Sequence, residues 1–267
     1  MTSDLGESTG SVLADWEDRV CILTLNRPER RNALDDLAID AFESAAARIA
    51  SQNPAVVIVR GAGEAGFCAG YDIAGIDPDV GGDRPLPDER FARAIRALEG
   101  IGCPAIAAMS GDAFGGGLDL AAACDLRVAA PEIRLAMTPA RLGLVYNLEG
   151  VARIASRLGP SVARRLFLLA LPITGEEAHR LGAVDFLVER DRVLATAREL
   201  ASVIRQNAPL AVRGNLAMLR AALGPTAVGS SQLHELDEWR LEAWRSQDLR
   251  EALVAFADKR DPVFQGR

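Results

Sequence analysis

Two glycine-rich turns constrain this chain more than any other feature: Phe67-Cys68-Ala69-Gly70-Tyr71-Asp72-Ile73, and Gly111-Asp112-Ala113-Phe114-Gly115-Gly116-Gly117-Leu118-Asp119-Leu120. Each comes after a short apolar run, Val56-Val57-Ile58-Val59 and Ala105-Ile106-Ala107-Ala108-Met109, with the length and composition of a buried strand. Glycine permits the positive φ values and close backbone approach that such turns need, and the run from Leu118 to Cys124 reads as a helix with its positive dipole end at the second turn. Taken alone, such a turn is more often only an ordinary tight loop. Together they can aim two free N–H groups at a single oxygen, the raw material of an oxyanion hole.

The rest of the chain fits the same plan. Val20-Cys21-Ile22-Leu23-Thr24-Leu25 reads as a strand after a polar lead, ended by Asn26-Arg27-Pro28 because proline cannot donate to a ladder. Leu37 to Ala50 has helical periodicity, and the repeated order of strand, turn and helix predicts an α/β fold with a largely parallel sheet. Asp77 to Asp88, rich in Gly, Pro and Asp, is expected to be a mobile surface loop near the first turn. Beyond Leu126-Arg127-Val128-Ala129 the pattern turns helical: Glu149 to Arg157, Ser161 to Leu169, Gly175 to Leu181, Asp191 to Gln206, Leu210 to Leu223 and Gln232 to Ala257. We therefore expect an α/β core over residues 1–200 and a C-terminal helical region over residues 201–267.

Composition narrows the chemistry. With 267 residues, 49% of them hydrophobic and 25% charged, the chain can bury a large core. Its net charge of −7 argues against a nucleic-acid surface, which requires clustered positive charge. Cys21, Cys68, Cys103 and Cys124 are scattered without metal-ligand spacing, and read as small buried residues of a reducing cytosol. The two histidines, His179 and His234, lie far from either glycine turn, so neither a Ser-His-Asp nor a zinc mechanism is expected, and no metal or redox cofactor is needed. Met1 to Gly10 is acidic and polar and no later run reaches membrane-span length, so the expectation is a cytoplasmic protein without a membrane partner.

Several segments, taken in order, resemble the crotonase (enoyl-CoA hydratase/isomerase) superfamily: Asn26-Arg27-Pro28 with Asn32-Ala33-Leu34, both glycine turns, Cys124-Asp125, and Phe256-Ala257-Asp258-Lys259-Arg260. The resemblance runs from about Val20 to Phe264. It implies a spiral of ββα units forming two sheets, a C-terminal helical region that assembles trimers or paired trimers, and a coenzyme A thioester as substrate, CoA being part of that substrate. Carried over by position, it makes the backbone N–H groups of Tyr71 and Gly116 the oxyanion donors. Arg31 to Ala33 and the stretch Ala69, Asp72, Ile73 and Ala74 should line the CoA channel. Phe256 and Lys259, the latter the chain's only lysine, would meet the adenine and 3′-phosphate, in some members from a neighbouring subunit.

The chain departs from the pattern where the family's acid and base should stand. A hydratase of this type carries two glutamates; here Asp119 holds the first position, and Met137-Thr138-Pro139-Ala140-Arg141-Leu142-Gly143 offers no carboxylate at the second. Glu149 could supply one, although a helix-start residue matched to the dipole is its plainer role. The stretch Met137-Thr138-Pro139, Leu142-Gly143, Tyr146-Asn147 and Gly150, with Pro172-Ile173-Thr174 further on, resembles the methylmalonyl-CoA decarboxylase branch, which lacks that glutamate and carries a tyrosine where Tyr146 stands. Tyr71 and Asp119 differ from that branch, which can carry histidine and carries glutamate there.

Decarboxylation suits a site without a base, because loss of CO₂ delivers an enolate directly to the two N–H groups. Tyr146 could orient the carboxylate or supply a proton. The favoured expectation is an acyl-CoA lyase decarboxylating a methylmalonyl-CoA-like substrate. The alternatives are an enoyl-CoA hydratase or isomerase of fatty-acid metabolism using Asp119, and a non-catalytic acyl-CoA binder.

Overall fold

The structure, a computed structural model, describes residues 10–64, 66–72, 86–223 and 230–267. Two sheets share the strands. The larger is six-stranded in the order β1 (Val12–Glu17), β2 (Val20–Leu25), β3 (Val56–Gly61), β5 (Ala105–Met109), β7 (Leu126–Ala129) and β10 (Phe186–Leu187). The smaller has four, in the order β4 (Gly66–Cys68), β6 (Asp112–Phe114), β8 (Arg134–Ala136) and β9 (Ile173–Thr174).

A ββα repeat threads both sheets. β3 enters the large sheet and β4 the small one, and α2 (Pro87–Glu99) returns the chain to β5 and β6; α3 (Gly116–Ala123) then leads to β7 and β8. Each turn lays its strands parallel to those of the turn before, with Ile58 opposite Ile106 and Ile106 opposite Leu126 in one sheet, and Gly66 opposite Asp112 in the other. This is the expected spiral, in which the pairs β3–β4, β5–β6 and β7–β8 each give one strand to each sheet, while β1 and β2 both join the larger one. β3 and β5 are apolar on both faces because helices and the second sheet cover both sides. Phe42, Phe67, Phe91, Ile58 and Ile106 fill the core between the layers.

Parallel pairing of β4 with β6 has a direct consequence for the site. The residues that follow Cys68 and those that follow Phe114 must emerge side by side, so two glycine turns 45 residues apart in sequence become neighbours.

Several details differ from the sequence expectation. Val12–Glu17 is a strand rather than a polar lead; it is the edge strand, alternately exposed, so its polar residues face solvent. The strands of the small sheet are only two or three residues long, too short for a periodic signal. Gln232 to Ala257 is not one helix but α9 (Ser230–Arg245) and α10 (Gln247–Asp258), broken at Ser246, whose hydroxyl accepts the Leu249 N–H as an N-cap. The helix expected over Ser161 to Leu169 is α5 (Pro160–Arg164) followed by a π turn over Arg165–Leu169.

The expected boundary at residue 200 falls within α7 (Val193–Gln206), which packs on β3, β5 and β7; the helices remote from the large sheet begin with α8 (Pro209–Ala222). Most of the loop expected at Asp77 to Asp88 lies outside the described residues, and Pro87 and Asp88 already belong to α2. Among the described residues, no helix is long and apolar enough to cross a membrane.

Candidate active site

The first turn is held on one side by the segment before α1 (Asp36–Ser51). The Leu34 N–H donates to Gly70 O at 2.8 Å and the Asp72 N–H to Leu34 O at 2.9 Å, a parallel bridge between Leu34 and Tyr71. In such a bridge the central residue's own N–H points away from the partner strand. The Tyr71 N–H therefore faces the opposite side, where β6 runs into α3. There the Gly116 N–H is the first of that helix and has no intrahelical acceptor. Among the described residues, neither the Tyr71 nor the Gly116 N–H donates to a protein acceptor. Gly70 has φ +88°, and a Cβ there would sit 2.8 Å from Phe114 O and 2.9 Å from Gly116 N, so only glycine lets the turns close on each other.

The local sequence explains why the Leu34 segment stays in place. Asn32 is fully buried with φ 58°, a conformation asparagine tolerates better than most residues. Its amide nitrogen donates to Ala62 O at 2.9 Å and Gly66 O at 2.8 Å, and its oxygen accepts the Arg27 N–H at 2.9 Å. The Arg27 guanidinium donates to Ala33 O and pairs with Asp35, both at 2.6 Å. The Asn-Arg-Pro and Asn-Ala-Leu elements of the sequence are thus a bracket for the first turn.

Asp119 lies on α3 just past the second turn and is buried. Both carboxylate oxygens are engaged: Oδ2 accepts the Tyr146 hydroxyl at 3.0 Å, and Oδ1 accepts Arg153 Nη1 at 2.8 Å. Burial pushes the Asp119 carboxyl above the ordinary aspartate range, against the pull of the Arg153 guanidinium and the Tyr146 hydroxyl. Burial, with the Asp119 charge beside it, holds the Tyr146 phenol well above its usual value, so Tyr146 stays a donor at neutral pH. Gly150 allows this contact, since a Cβ there would run into the Tyr146 ring and sit 2.7 Å from Asp119 Oδ2. Asp119 thus has little solvent access of its own, with the Tyr146 hydroxyl on one oxygen and the Arg153 guanidinium on the other.

A cleft of about 700 Å³ opens beside the first turn. Arg31, Ala33, Ala69, Tyr71 and Asp72 all line it. Phe114, Thr138, Arg141 and Leu142 close it from the second turn and the segment after β8. The Tyr71 hydroxyl donates to Asp36 Oδ1 at 2.9 Å, and Asp36 also pairs with Arg90 at 2.6 Å. Burial and Asp36 push the Tyr71 phenol up to about 12.

Not every expected residue joins this assembly. Ile73 and Ala74 lie outside the described residues. Phe256 and Lys259 stand on and just after α10, Phe256 86% exposed, and neither lines the cleft of its own chain. Glu149 is not a free second carboxylate: Arg153 Nη2 and Arg96 Nη1 each donate to it at 2.8 Å. The residue that sequence reasoning missed is Arg153, because its place four after Glu149 on α4 (Leu148–Leu158) is the spacing of any ordinary helix-surface pair and carries no signal of its own. All four cysteines are free and buried.

Two strands delivering glycine turns to one point, within a spiral of ββα units, define a fold of the crotonase class. The family model for enoyl-CoA hydratase/isomerase matches residues 15–267, and the chain belongs to that family, an enzyme family acting on acyl-CoA. A short-chain-enoyl-CoA hydratase of Clostridium acetobutylicum is 29% identical over 255 residues, covering 94% of this chain and 95% of the relative. A carnitinyl-CoA dehydratase of Proteus mirabilis is 33% identical over 222 residues, covering 79% and 82%. The crystal structure of an enoyl-CoA hydratase from Bacillus anthracis matches with a TM-score of 0.86 at 28% identity, covering 97% of this chain and 100% of that one. These names favour the hydratase/isomerase alternative over decarboxylation of a methylmalonyl-CoA-like substrate.

Proposed function

We propose that this chain adds water to, or eliminates it from, the α,β double bond of an enoyl-CoA thioester. The observation that carries the reading is the convergence of the Tyr71 and Gly116 N–H groups, which have no protein acceptor among the described residues, beside a buried carboxylate, Asp119, on the same helical turn as one of them. With the thioester carbonyl oxygen between the two donors, attack of water at Cβ leaves a carbanion at Cα whose charge moves onto that oxygen. Preformed donors in a dry site stabilise this enolate more than the ground state, and one donor of this kind contributes about 2.7–4 kcal/mol. As the one buried carboxylate so placed among the described residues, Asp119 takes the proton from water through the Tyr146 hydroxyl and returns it to Cα. The product thus gains one water and the enzyme is unchanged.

Arg31, Ala33, Ala69 and Asp72 hold the CoA portion in the cleft. Phe256 and Lys259, remote from it in their own chain, serve the CoA of a neighbouring subunit in a trimer or pair of trimers.

One observation favours a second reading, decarboxylation. Both oxygens of Asp119 are already hydrogen-bonded, and the Pro139–Leu142 turn brings Arg141 rather than a carboxylate to the cleft. Loss of CO₂ from an α-carboxylate needs no base, and Tyr146 would then orient the carboxylate. Mass spectrometry of crotonyl-CoA and methylmalonyl-CoA incubated with the protein separates the two. Hydration supports the first reading, and conversion of methylmalonyl-CoA to propionyl-CoA with inert crotonyl-CoA replaces it with the second.

A further inference from the structure

Arg153 is the most heavily engaged buried cation among the described residues at the site. Its side chain is 7% exposed, and its three nitrogens reach three carboxylates: Nη1 to Asp119 at 2.8 Å, Nη2 to Glu149 at 2.8 Å and Nε to Glu99 at 3.2 Å. Glu149 is in turn held by Arg96. The planar guanidinium gives one nitrogen to each carboxylate at fixed angles, so Glu149 and Glu99 hold the plane from which Nη1 reaches Asp119 Oδ1, which a point charge cannot do. Asp119 cannot turn without breaking either this bond or the one to Tyr146.

We infer that Arg153 is a positioning residue for the Asp119–Tyr146 pair, its guanidinium locking the Asp119 carboxylate so that Oδ2 stays on the Tyr146 hydroxyl. The inference rests on the proposed role of Asp119 as the proton-exchanging group. Glu149 and Glu99 then have a defined part: they orient the far side of the guanidinium and compensate its charge, so the loss of either is milder than the loss of Arg153.

The charges that bear on Asp119 are few. From α2 come Glu99 and, through Glu149, Arg96; Asp88 acts on Tyr146. From α4 and the residues before it come Arg153, Glu149 and Tyr146. On β4 and β6, which also pack on α3, the ionisable side chains are Cys68, whose thiol burial pushes up to about 12, and Asp112, paired with Arg134. Among the described residues Arg153 is the one cation in direct contact with Asp119, and it opposes the burial that favours the neutral acid.

The test is a titration of the Asp119 carboxyl by carbon-13 NMR, its signal assigned by its disappearance in D119N, alongside the pH profile of kcat/KM for crotonyl-CoA. In Arg153→Gln the Asp119 midpoint and the acid limb of the profile should both move up by about one unit or more, a tenfold or greater gain in proton affinity. Arg153→Lys, which keeps the charge and loses the planar guanidinium, should hold the midpoint near wild type while kcat falls about tenfold and KM stays. In a D119N background neither substitution should reduce the residual kcat further.

Should Arg153→Gln fail to fold, the lysine variant carries the test. Unchanged kcat and pH profile in Arg153→Lys, or an unmoved Asp119 midpoint in a folded Arg153→Gln, would overturn the positioning role. If the wild type turns over no thioester, the proposed reaction fails, and the NMR midpoint still decides whether Arg153 governs Asp119.

Discussion

A Cβ placed on Gly70 would stand 2.9 Å from the amide nitrogen of Gly116, so the two turns that supply the candidate oxyanion donors touch through backbone alone. Gly70→Ala should therefore damage the site twice, by strain at φ +88° and by forcing the donors apart. We expect kcat to fall by about 10²–10³, the effect of losing one such donor, together with about 1–3 kcal/mol of stability. Steady-state kinetics and thermal unfolding of the same preparation check both.

Gly150→Ala tests the second contact. Its methyl group would displace the Tyr146 ring and crowd Asp119 Oδ2 at 2.7 Å. Overpacking of this kind costs about 1–3 kcal/mol, and kcat should fall more than KM rises. A variant that melts earlier but keeps full kcat would detach Tyr146 from the chemistry.

Tyr146→Phe removes the hydroxyl and leaves Asp119 Oδ2 buried with no donor. Folding stability should drop by about 1–3 kcal/mol, and the loss of a hydrogen bond to the carboxylate should raise the Asp119 pKa further. Denaturant unfolding and the pH profile of kcat/KM measure the two effects.

The pH dependence of the wild type follows in sign from the same groups. Asp119 works as a base when deprotonated, and burial raises its pKa, so activity should be lost as pH falls through a value above the ordinary ~3.9 of aspartate. Tyr146 is held well above the usual phenol value, so its ionisation should add no alkaline limb below about pH 10. A profile flat down to about pH 4 would exclude Asp119 as the base.

Lys259→Ala should raise KM for CoA esters without lowering kcat, because Lys259 is assigned to the nucleotide end of CoA and not to the reacting carbon. The effect should vanish for acyl-pantetheine substrates, which lack that end. An unchanged KM for the CoA ester removes Lys259 from the site.

The strands that carry the large sheet were legible because β2, β3 and β5 are continuous apolar runs bounded by Pro or Gly, and the glycine turns stood out beside them. The small sheet was not, since strands such as Ile173–Thr174 are too short to show alternation and are defined by their neighbours. Asp119 and Tyr146 could be singled out from sequence, but not their bond, which depends on the close approach that Gly150 permits. Arg153 was hidden for a related reason. Pairing with Glu149 is what a helix surface offers, and only tertiary packing carries its other nitrogens to Asp119 and Glu99.

The most direct measurement is a time course of product masses from purified protein given crotonyl-CoA and methylmalonyl-CoA, run beside Asp119→Asn. Crotonyl-CoA should gain the mass of one water in the wild type, and the Asn variant should lose most of that activity. Two unchanged thioesters that nonetheless bind tightly would contradict the account and leave an acyl-CoA binder.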